Sequence, residues 1–447
     1  MIELPLDFKN EMKVLFGADY ERFISSYEKP YCRSLSVNCL KTTPEELEKR
    51  LPFSVQPSPF YRDGRIFDTA EQGVGNLALH HAGAFYIQEP SASAAVTLLD
   101  PQPHEKILDL CAAPGGKSAQ IASCLGNTGL LWSNEAIKSR SRILLSNLER
   151  MGAAQCVISS AYPEVFAERL SGYFDRVLVD APCSGEGMFR KHPESIAEWS
   201  AESVHACAVR QLSILNSAAQ CVRGGGVLVY STCTFSVEEN EGVIKQFLSE
   251  NHDFKIEDMH CAFGRATGIE GGIRISPLEG GEGHFMVRMR RISNDMPIVS
   301  EYKYIPPKDK AVLRQAQELL SDVFVVPPQG RLEVHNDNIY ILPDILPDIS
   351  KLGVLRAGVQ LGELKKNRIE PVHALFMQSK PENLRRVCNL SLTDERLSRF
   401  LHGEEIDCDT ADGYTAVAVE NIIVGFGKCV NHRLKNKYPK GLRVVKL

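Results

Sequence analysis

The chain of 447 residues contains no apolar run approaching the roughly 20 residues that a membrane-spanning helix needs, which argues against a membrane protein. It has 13 cysteines but no pair of them in C-x-x-C spacing. Their odd number and scattered positions argue against both a metal centre and a secreted disulfide framework. Acidic residues stand near the N-terminus, at Glu3 and Asp7, where a secretory signal would carry basic ones. We therefore expect a cytoplasmic protein with no membrane contact and no bound metal.

The composition, with 43% hydrophobic and 24% charged residues, is typical of a soluble globular protein. The length exceeds what one compact core holds, so about two to four domains are expected. The net charge of −5 argues weakly against a nucleic-acid partner, but residues 428–446 hold seven Lys or Arg residues and no acidic residue. Because phosphate binding depends on local basic patches, RNA stays open as a partner.

Short apolar runs alternate with amphipathic helical stretches between residues 103 and 292, a pattern typical of an α/β sheet. The runs cover residues 106–110, 129–133, 155–159, 176–180, 226–231 and 284–289. They predict a doubly wound, Rossmann-like sheet, with the helical stretch 201–223 packed against it. Around it we expect an N-terminal α+β subdomain that binds RNA, a linker, and two C-terminal α+β units, over residues 1–102, 293–310, 311–380 and 381–447.

A glycine turn follows the first run and precedes a helical stretch. Gly115 and Gly116 let backbone N–H groups approach a ligand. The spacing fits neither a phosphate-binding P-loop nor the dinucleotide fingerprint. Glu135 follows the second run, where a carboxylate is suited to hold the hydroxyls of a ribose. The combination favours a nucleoside cofactor without a phosphate, and S-adenosyl-L-methionine fits; a glycine turn beside a surface Glu is the simpler alternative.

Two cysteines follow predicted parallel strands, Cys183 in Asp180-Ala-Pro-Cys and Cys233 in Ser-Thr-Cys, at the edge where open α/β sheets bind ligands. Either cysteine alone is explained as a buried small residue. The pair beside Asp180 fits covalent chemistry on cytosine. A thiolate that adds to carbon 6 makes carbon 5 nucleophilic, and a second step removes the carbon-5 proton and expels the thiol. An ordinary thiol has a pKa of about 8.5, so an activating environment is expected. Asp180 would bind the polar edge of the base.

These residues resemble the motifs of the RNA cytosine-5 methyltransferases of the Sun (nucleolar proliferation antigen) family. The resemblance rests on Glu135, Arg274 and the segments 86–91, 111–117, 180–185, 231–233, 238–241 and 281–285. It implies that Cys233 is the nucleophile and that Cys183 assists product release. DNA cytosine methyltransferases attack with the Pro-Cys cysteine, so the additional Thr-Cys cysteine argues for RNA. The resemblance also implies that the donor is bound by Cys111, Ala112, Ala113, Pro114, Gly115, Gly116, Lys117, Glu135 and Asp180, with Lys117 helping to position the catalytic groups.

One segment departs from the family pattern. After the third run the family usually has an acidic residue that meets the adenine, whereas residues 158–163 read Ile-Ser-Ser-Ala-Tyr-Pro. Ser160 or a backbone N–H could replace it, and Tyr162 could stack on the adenine. The departure puts donor affinity in doubt, and not the reaction type. His284, between Gly283 and Phe285, is more simply a structural turn residue than a catalytic base.

The C-terminal tail resembles the PUA-like extension of bacterial family members that act on small-subunit ribosomal RNA. Its cations offer phosphate contacts and Tyr438 offers a stacking surface. The expected RNA-binding residues are Lys428, Arg433, Lys435, Lys437, Lys440 and Arg443. The alternative is a solvated charged face without a partner.

The leading hypothesis is a monomeric enzyme that methylates carbon 5 of a cytosine in 16S ribosomal RNA. A transfer-RNA enzyme would share every active-site residue, and only the extensions favour the ribosome. A non-catalytic RNA-binding or ribosome-assembly factor is a different class. The missing adenine-side carboxylate favours it, whereas the paired cysteines, Asp180 and the donor loop argue against it. A small-molecule methyltransferase would need neither the paired cysteines nor the basic tail.

Overall fold

The computed structural model describes residues 3–293 and 299–444. Among these residues, no helix combines the length and the apolar character needed to cross a membrane. The N-terminal region contains a four-stranded antiparallel sheet of order β2-β3-β1-β4. Its helices are α1 (Leu6–Phe16), α2 (Tyr20–Ser25), α3 (Pro44–Glu48), α4 (Ala78–His81) and α5 (Ala94–Leu99), and its strands are β1 (Arg33–Val37), β2 (Val55–Pro57), β3 (Gly64–Phe67) and β4 (Phe85–Gln88).

The middle of the chain alternates strands and helices. In order these are β5 (Lys106–Asp109), α6 (Gly116–Leu125), β6 (Leu130–Asn134), α7 (Lys138–Met151), β7 (Cys156–Ser159), α8 (Pro163–Arg169), β8 (Phe174–Asp180), α9 (Ala201–Cys221), β9 (Val222–Thr232), α10 (Val243–Glu250), β10 (Phe254–Ile256), β11 (Arg265–Ala266), β12 (Ile273–Ile275) and β13 (His284–Arg291). The core strands are buried on both faces, as their near-continuous apolar sequences require.

The C-terminal part contains a four-stranded antiparallel sheet of order β14-β15-β17-β18 and a five-stranded sheet of order β19-β21-β22-β23-β20. Its elements are α11 (Lys310–Val323), β14 (Leu332–His335), β15 (Asn338–Ile341), β16 (Val354–Ala357), β17 (Val359–Lys365), β18 (Arg368–Pro371), α12 (His373–Met377), β19 (Val387–Leu390), α13 (Glu395–His402), β20 (Ile406–Asp407), β21 (Gly413–Val419), β22 (Ile422–Val430) and β23 (Arg433–Asn436).

The large central sheet has the order β11-β12-β13-β9-β8-β5-β6-β7-β16, with β10 paired to β13. Strands β9, β8, β5, β6 and β7 are parallel, and β13 and β16 run antiparallel to their neighbours. Helices α5, α6 and α7 pack on one face, and α8, α9 and α10 pack on the other. The predicted doubly wound, Rossmann-like fold is therefore confirmed. The strand order reverses at β5, where α/β sheets form their binding crevice.

The C-terminal part shares buried cores with the rest of the chain. Strand β16 adds to the edge of the large sheet by pairing with β7, although it lies within the predicted unit 311–380. One apolar core joins the N-terminal sheet to the five-stranded sheet, for example Leu35 and Phe85 with Phe400 and Leu434. A second joins the two C-terminal sheets. The C-terminal part is thus joined both to the large central sheet and to the N-terminal sheet.

Two segments differ from the sequence-based expectation. Helix α9 ends at Cys221 and Arg223 already lies in β9, because three glycines follow and the chain turns directly into the strand. Of the predicted linker, residues 294–298 lie outside the described residues. The described part packs along the first C-terminal unit, where the Tyr302 hydroxyl donates to Glu333 at 2.7 Å.

Candidate active site

The loop between β5 and α6 carries the predicted donor-binding residues. Gly115 has a φ of +117°, which favours glycine. A Cβ on Gly116 would lie 2.7 Å from Gln88 Oε1 and 3.0 Å from Tyr86 Cε1, so this glycine allows the close approach of two side chains of β4. Two side chains of α7 hold the loop from outside, because Arg140 donates to the Ala113 carbonyl and Asn147 donates to the Pro114 carbonyl. The loop therefore has a defined shape.

A cavity of about 590 Å³ lies beside this loop, at the carboxyl ends of the parallel strands. The predicted site residues that line it are Cys111, Ala113, Glu135, Asp180, Cys183 and Cys233. Glu135 is buried, with one carboxylate oxygen accepting from the backbone N–H of Ile137 and the other 3.4 Å from Arg140. The loop is completed by Ala112, Pro114, Gly115 and Gly116. Lys117 lies in the first turn of α6. Glu135, the carboxylate predicted to hold a ribose, therefore lines the same cavity as both cysteines.

Cys183 and Cys233 face each other across the ends of β8 and β9, with 3.2 Å between their sulfur atoms. Their loops are linked: the Gly187 backbone N–H donates to the Cys233 carbonyl at 2.9 Å, and the Ser184 and Thr234 hydroxyls lie 2.9 Å apart. The hydrogen bond with Cys233, together with burial, raises the pKa of the Cys183 thiol well above its ordinary value. Cys183 therefore remains a protonated thiol that can donate a hydrogen bond to the sulfur of Cys233.

Asp180 forms a polar cluster next to the cysteines. Lys117 Nζ lies 2.7 Å from one carboxylate oxygen, and the Ser231 hydroxyl donates to the other at 2.7 Å. Burial alone would raise the pKa of Asp180, but the Lys117 ammonium, His284 and the hydrogen bonds lower it. Asp180 is therefore ionised, and about 30% of its side chain stays exposed to the cavity. The Asp180 carboxylate can accept a hydrogen bond from an amino group of a ligand, and the adjacent Lys117 ammonium can donate one to a carbonyl on the same edge of that ligand.

His284 is buried at the start of β13 and does not occupy the turn that the sequence indicates. Its Nδ1 lies 2.8 Å from the Ser91 hydroxyl and 3.2 Å from Glu89 Oε2. The Glu89 carboxylate also accepts from the backbone N–H groups of Ser91, Ala92 and Glu282. The segment after β4 thereby binds to the strand beside Cys233. The Ser91–His284 and Glu89–Glu282 contacts each span 193 residues of sequence, so no local pattern points to them.

A carboxylate is present after the third parallel strand, at the residue that directly follows the stretch 158–163 expected to supply it. Glu164 lines the cavity from the first turn of α8, together with Tyr162, whose side chain is 71% exposed. Pro163 begins this helix, and acidic residues are favoured in a first turn. That helix-start signal, Pro followed by Glu, is the one that would have located Glu164.

The C-terminal cations fall into two groups. Lys428, Lys435 and Lys440 are exposed. Lys428 and Lys435 occupy opposed positions on the neighbouring strands β22 and β23, and Lys428 Nζ lies 5.4 Å from the centre of the Tyr414 ring. The others have local partners: Lys437 contacts Glu370 at 2.6 Å, Arg433 lies 3.7 Å from Asp407, and Arg443 packs against Gly403. Lys446 lies outside the described residues.

The expectation that Tyr438 offers a stacking surface is wrong. Tyr438 is 2% exposed and packs against Phe400 and His373. Its ring fills the core between the C-terminal elements. Tyr414, a half-buried residue on the neighbouring strand β21, is an aromatic ring that borders Lys428.

Four family models match successive parts of the chain. They are 16S rRNA methyltransferase RsmB/F over residues 96–290, the N-terminal domain of 16S rRNA methyltransferase RsmF over 4–90, the RsmF rRNA methyltransferase first C-terminal domain over 316–378, and the Methyltransferase RsmF PUA domain over 388–444. Ribosomal RNA small subunit methyltransferase F from Vibrio campbellii is 32% identical, with 99% of this chain and 98% of that protein covered. Its namesake from Aeromonas salmonicida is 31% identical, with 98% and 97% covered.

Solved structures share the fold. A methyltransferase homolog protein from Pyrococcus horikoshii is 28% identical, with a TM-score of 0.58 over 65% of this chain and 96% of its own. NSun6 from the same organism, solved with SFG, has a TM-score of 0.59 at 22% identity, over 65% and 98% of the two chains. Fold, site and matches define an S-adenosylmethionine-dependent methyltransferase, as predicted. The chain belongs to the ribosomal RNA small subunit methyltransferase F family, so the predicted family with its PUA-like extension is confirmed.

Proposed function

We propose that this enzyme methylates carbon 5 of a cytosine in 16S ribosomal RNA through a covalent adduct with Cys233. The observation that carries the proposal is the pair of cysteine sulfur atoms 3.2 Å apart, in one cavity with Asp180, whose carboxylate is paired with Lys117. A methyltransferase acting on an oxygen or an amino nitrogen needs no nucleophilic thiol. The names of its relatives support small-subunit ribosomal RNA as the substrate.

Cys233 attacks carbon 6 of the target cytosine. The carbon–sulfur bond forms from the thiolate electron pair, and the electrons of the ring double bond move to carbon 5. Asp180 accepts from the exocyclic amino group and Lys117 places its ammonium at the ring oxygen and nitrogen edge. An ionised Asp180 would repel the carbonyl oxygen that uracil has at this position, so the cluster selects cytosine.

The residues of the donor loop, Glu135 and Asp180 would hold S-adenosylmethionine, which supplies the methyl group that carbon 5 takes. The buried Glu135 fits two ribose hydroxyls, and the exposed ring of Tyr162 with Glu164 fits the adenine. A missing adenine-side carboxylate therefore no longer argues for a non-catalytic assembly factor.

The target base must leave its stack to reach the cysteines, which costs a few kcal/mol and is least costly in loops or incompletely assembled RNA. The N-terminal subdomain and the exposed cations of the C-terminal sheet would hold the flanking RNA. Lys428, Lys435 and Lys440 are the best placed, because Arg433 and Lys437 already face carboxylates.

Glu135→Gln is expected to weaken S-adenosylmethionine binding by roughly 10- to 100-fold, because a hydrogen bond to a charged acceptor contributes about 1.5–3 kcal/mol. Isothermal titration calorimetry measures the Kd directly. Glu168→Gln, an exposed change on α8, is the matched control and should bind like wild type. An unchanged Kd for Glu135→Gln would remove Glu135 from the donor site.

The double variant Lys428→Ala/Lys435→Ala is expected to flatten the salt dependence of RNA binding. Each lost phosphate contact lowers the slope of log K against log salt by roughly 0.7–0.9, so a fall of about 1.4–1.8 is expected. Arg433→Ala should lower it less, because Arg433 faces Asp407 and Glu405. Filter binding at several salt concentrations gives the slopes. Point variants are preferable to removing residues 381–447, which would expose the cores shared with the rest of the chain.

The purified enzyme should transfer labelled methyl groups to 16S ribosomal RNA, and digestion to nucleosides should identify 5-methylcytidine by mass spectrometry. Bisulfite sequencing of RNA from cells with and without the gene locates the cytosine. Methylation of transfer RNA alone would keep the mechanism and overturn the substrate. A methylated product other than 5-methylcytidine would overturn the reaction.

A further inference from the structure

His284 is held through its Nδ1 atom, and the strand register places this residue opposite Cys233. Strand β13 pairs Phe285 with Thr232 of β9, so the next residues along the register are His284 and Cys233. Side chains at directly opposed positions of antiparallel strands point to the same face. Ser231, two residues before Cys233, contacts Asp180 on that face. The register therefore brings His284, Cys233 and Asp180 together.

The hydrogen bonds of His284 distinguish its two ring nitrogens. Nδ1 is held by Ser91 and Glu89, and among the described residues Nε2 has no hydrogen-bond partner. Burial alone would raise the pKa of Glu89, but His284 and Ser91 lower it, so Glu89 is a carboxylate that accepts from Nδ1–H. A proton held on Nδ1 leaves a lone pair on Nε2.

We propose that His284 Nε2 accepts the carbon-5 proton in the elimination step. The proposal rests on the proposed function, because it requires a Cys233–cytosine adduct. The carbon-5–hydrogen bond breaks and the proton goes to Nε2. The electron pair of that bond forms the double bond between carbons 5 and 6, and the carbon–sulfur bond breaks with its electrons returning to Cys233. Cys183, as a thiol, donates a hydrogen bond to the leaving sulfur. Nε2 then returns the proton to solvent.

The test uses the full chain with RNA that carries tritium on carbon 5 of cytosine, and S-adenosylmethionine with a carbon-14 methyl group. Wild type should release tritium to water in step with methyl incorporation. In His284→Asn the amide nitrogen stands in for Nδ1 and retains the contact with Glu89. This variant should release tritium roughly 10²- to 10⁴-fold more slowly, the usual range for a lost general base. Its methyl label should accumulate on RNA that is covalently bound to protein.

Two further variants keep the test decisive. His284→Gln places an amide nitrogen near Nε2 that cannot accept the proton, and the same loss is expected. His252→Asn, an exposed change between α10 and β10, should behave as wild type. Thermal unfolding and S-adenosylmethionine binding identify the folded variants. The proposal is overturned if a folded His284 variant releases tritium at the wild-type rate, or loses methyl incorporation equally without accumulating adduct. If wild type itself yields neither product, the proposed function fails instead.

Discussion

Cys233→Ala is expected to abolish methyl transfer, lowering the single-turnover rate by roughly 10⁴-fold or more. Without the attacking thiolate, carbon 5 remains part of an aromatic ring and lacks the electron density to take a methyl group. The sulfur of Cys183 lies 3.2 Å away but belongs to a thiol of raised pKa, so it is a poor substitute. Methyl incorporation under single-turnover conditions measures the rate, and denaturing electrophoresis should show no protein–RNA adduct.

The matched control for this prediction is Cys207→Ala, which removes a half-buried thiol on α9 that does not line the cavity. It should retain wild-type activity. Cys233→Ala should still bind S-adenosylmethionine within a few-fold of wild type, because the donor-binding residues are unchanged. An active Cys233→Ala variant, combined with an inactive and adduct-free Cys183→Ala variant, would instead assign the nucleophile to Cys183, as in DNA cytosine methyltransferases.

The parallel strands of the central sheet could be predicted because their signal is local. Each is a short apolar run of β-forming residues followed by a turn, as in Val177-Leu178-Val179 before Asp180. Once these runs are parallel strands of one sheet, their carboxyl ends share an edge. The approach of Cys183 to Cys233 and of the donor loop to Asp180 follows from that geometry. These were the parts of the site that the sequence could indicate.

Contacts that do not follow from the parallel order of the central sheet could not be predicted. Nothing in Val354–Ala357 distinguishes a strand of the large sheet from one of the small sheet that follows, because both need the same apolar alternation. The same limit applies to the tail. The sequence indicates a free cation at Lys437, whereas the structure places Glu370 beside it. The charged neighbours of Tyr438 indicate an exposed ring. In the structure the ring is buried in the core shared by the N-terminal sheet and the five-stranded sheet.

The placement of His284 shows the same limit within the active site. A histidine flanked by Gly283 and Phe285 has the local character of a turn residue. Its position depends on Glu89 and Ser91, which precede the central sheet in sequence, and on the register of β13 with β9. The motif segments 86–91 and 281–285 were part of the family resemblance, but their physical connection required the structure.

Cys183→Ala is expected to trap the enzyme on its RNA. Attack by Cys233 and methyl transfer do not require Cys183, so the methylated adduct still forms. The leaving sulfur then lacks the hydrogen bond from the Cys183 thiol, and its expulsion should slow by roughly 10²- to 10⁴-fold. Denaturing electrophoresis should show a shifted protein band that carries both the RNA and the methyl label, while free methylated RNA stays near background.

The double variant Cys183→Ala/Cys233→Ala separates a covalent trap from tight binding, because removal of the nucleophile should eliminate the shifted band. Cys183→Ser tests the hydrogen bond itself: a hydroxyl retains a donor near the 3.2 Å sulfur contact, so partial release is expected. A Cys183→Ala variant that binds donor and RNA, and is inactive without any adduct, would contradict this division of roles. Since His284 would still remove the carbon-5 proton, combining Cys183→Ala with His284→Asn should lengthen the lifetime of the adduct beyond that of either single variant.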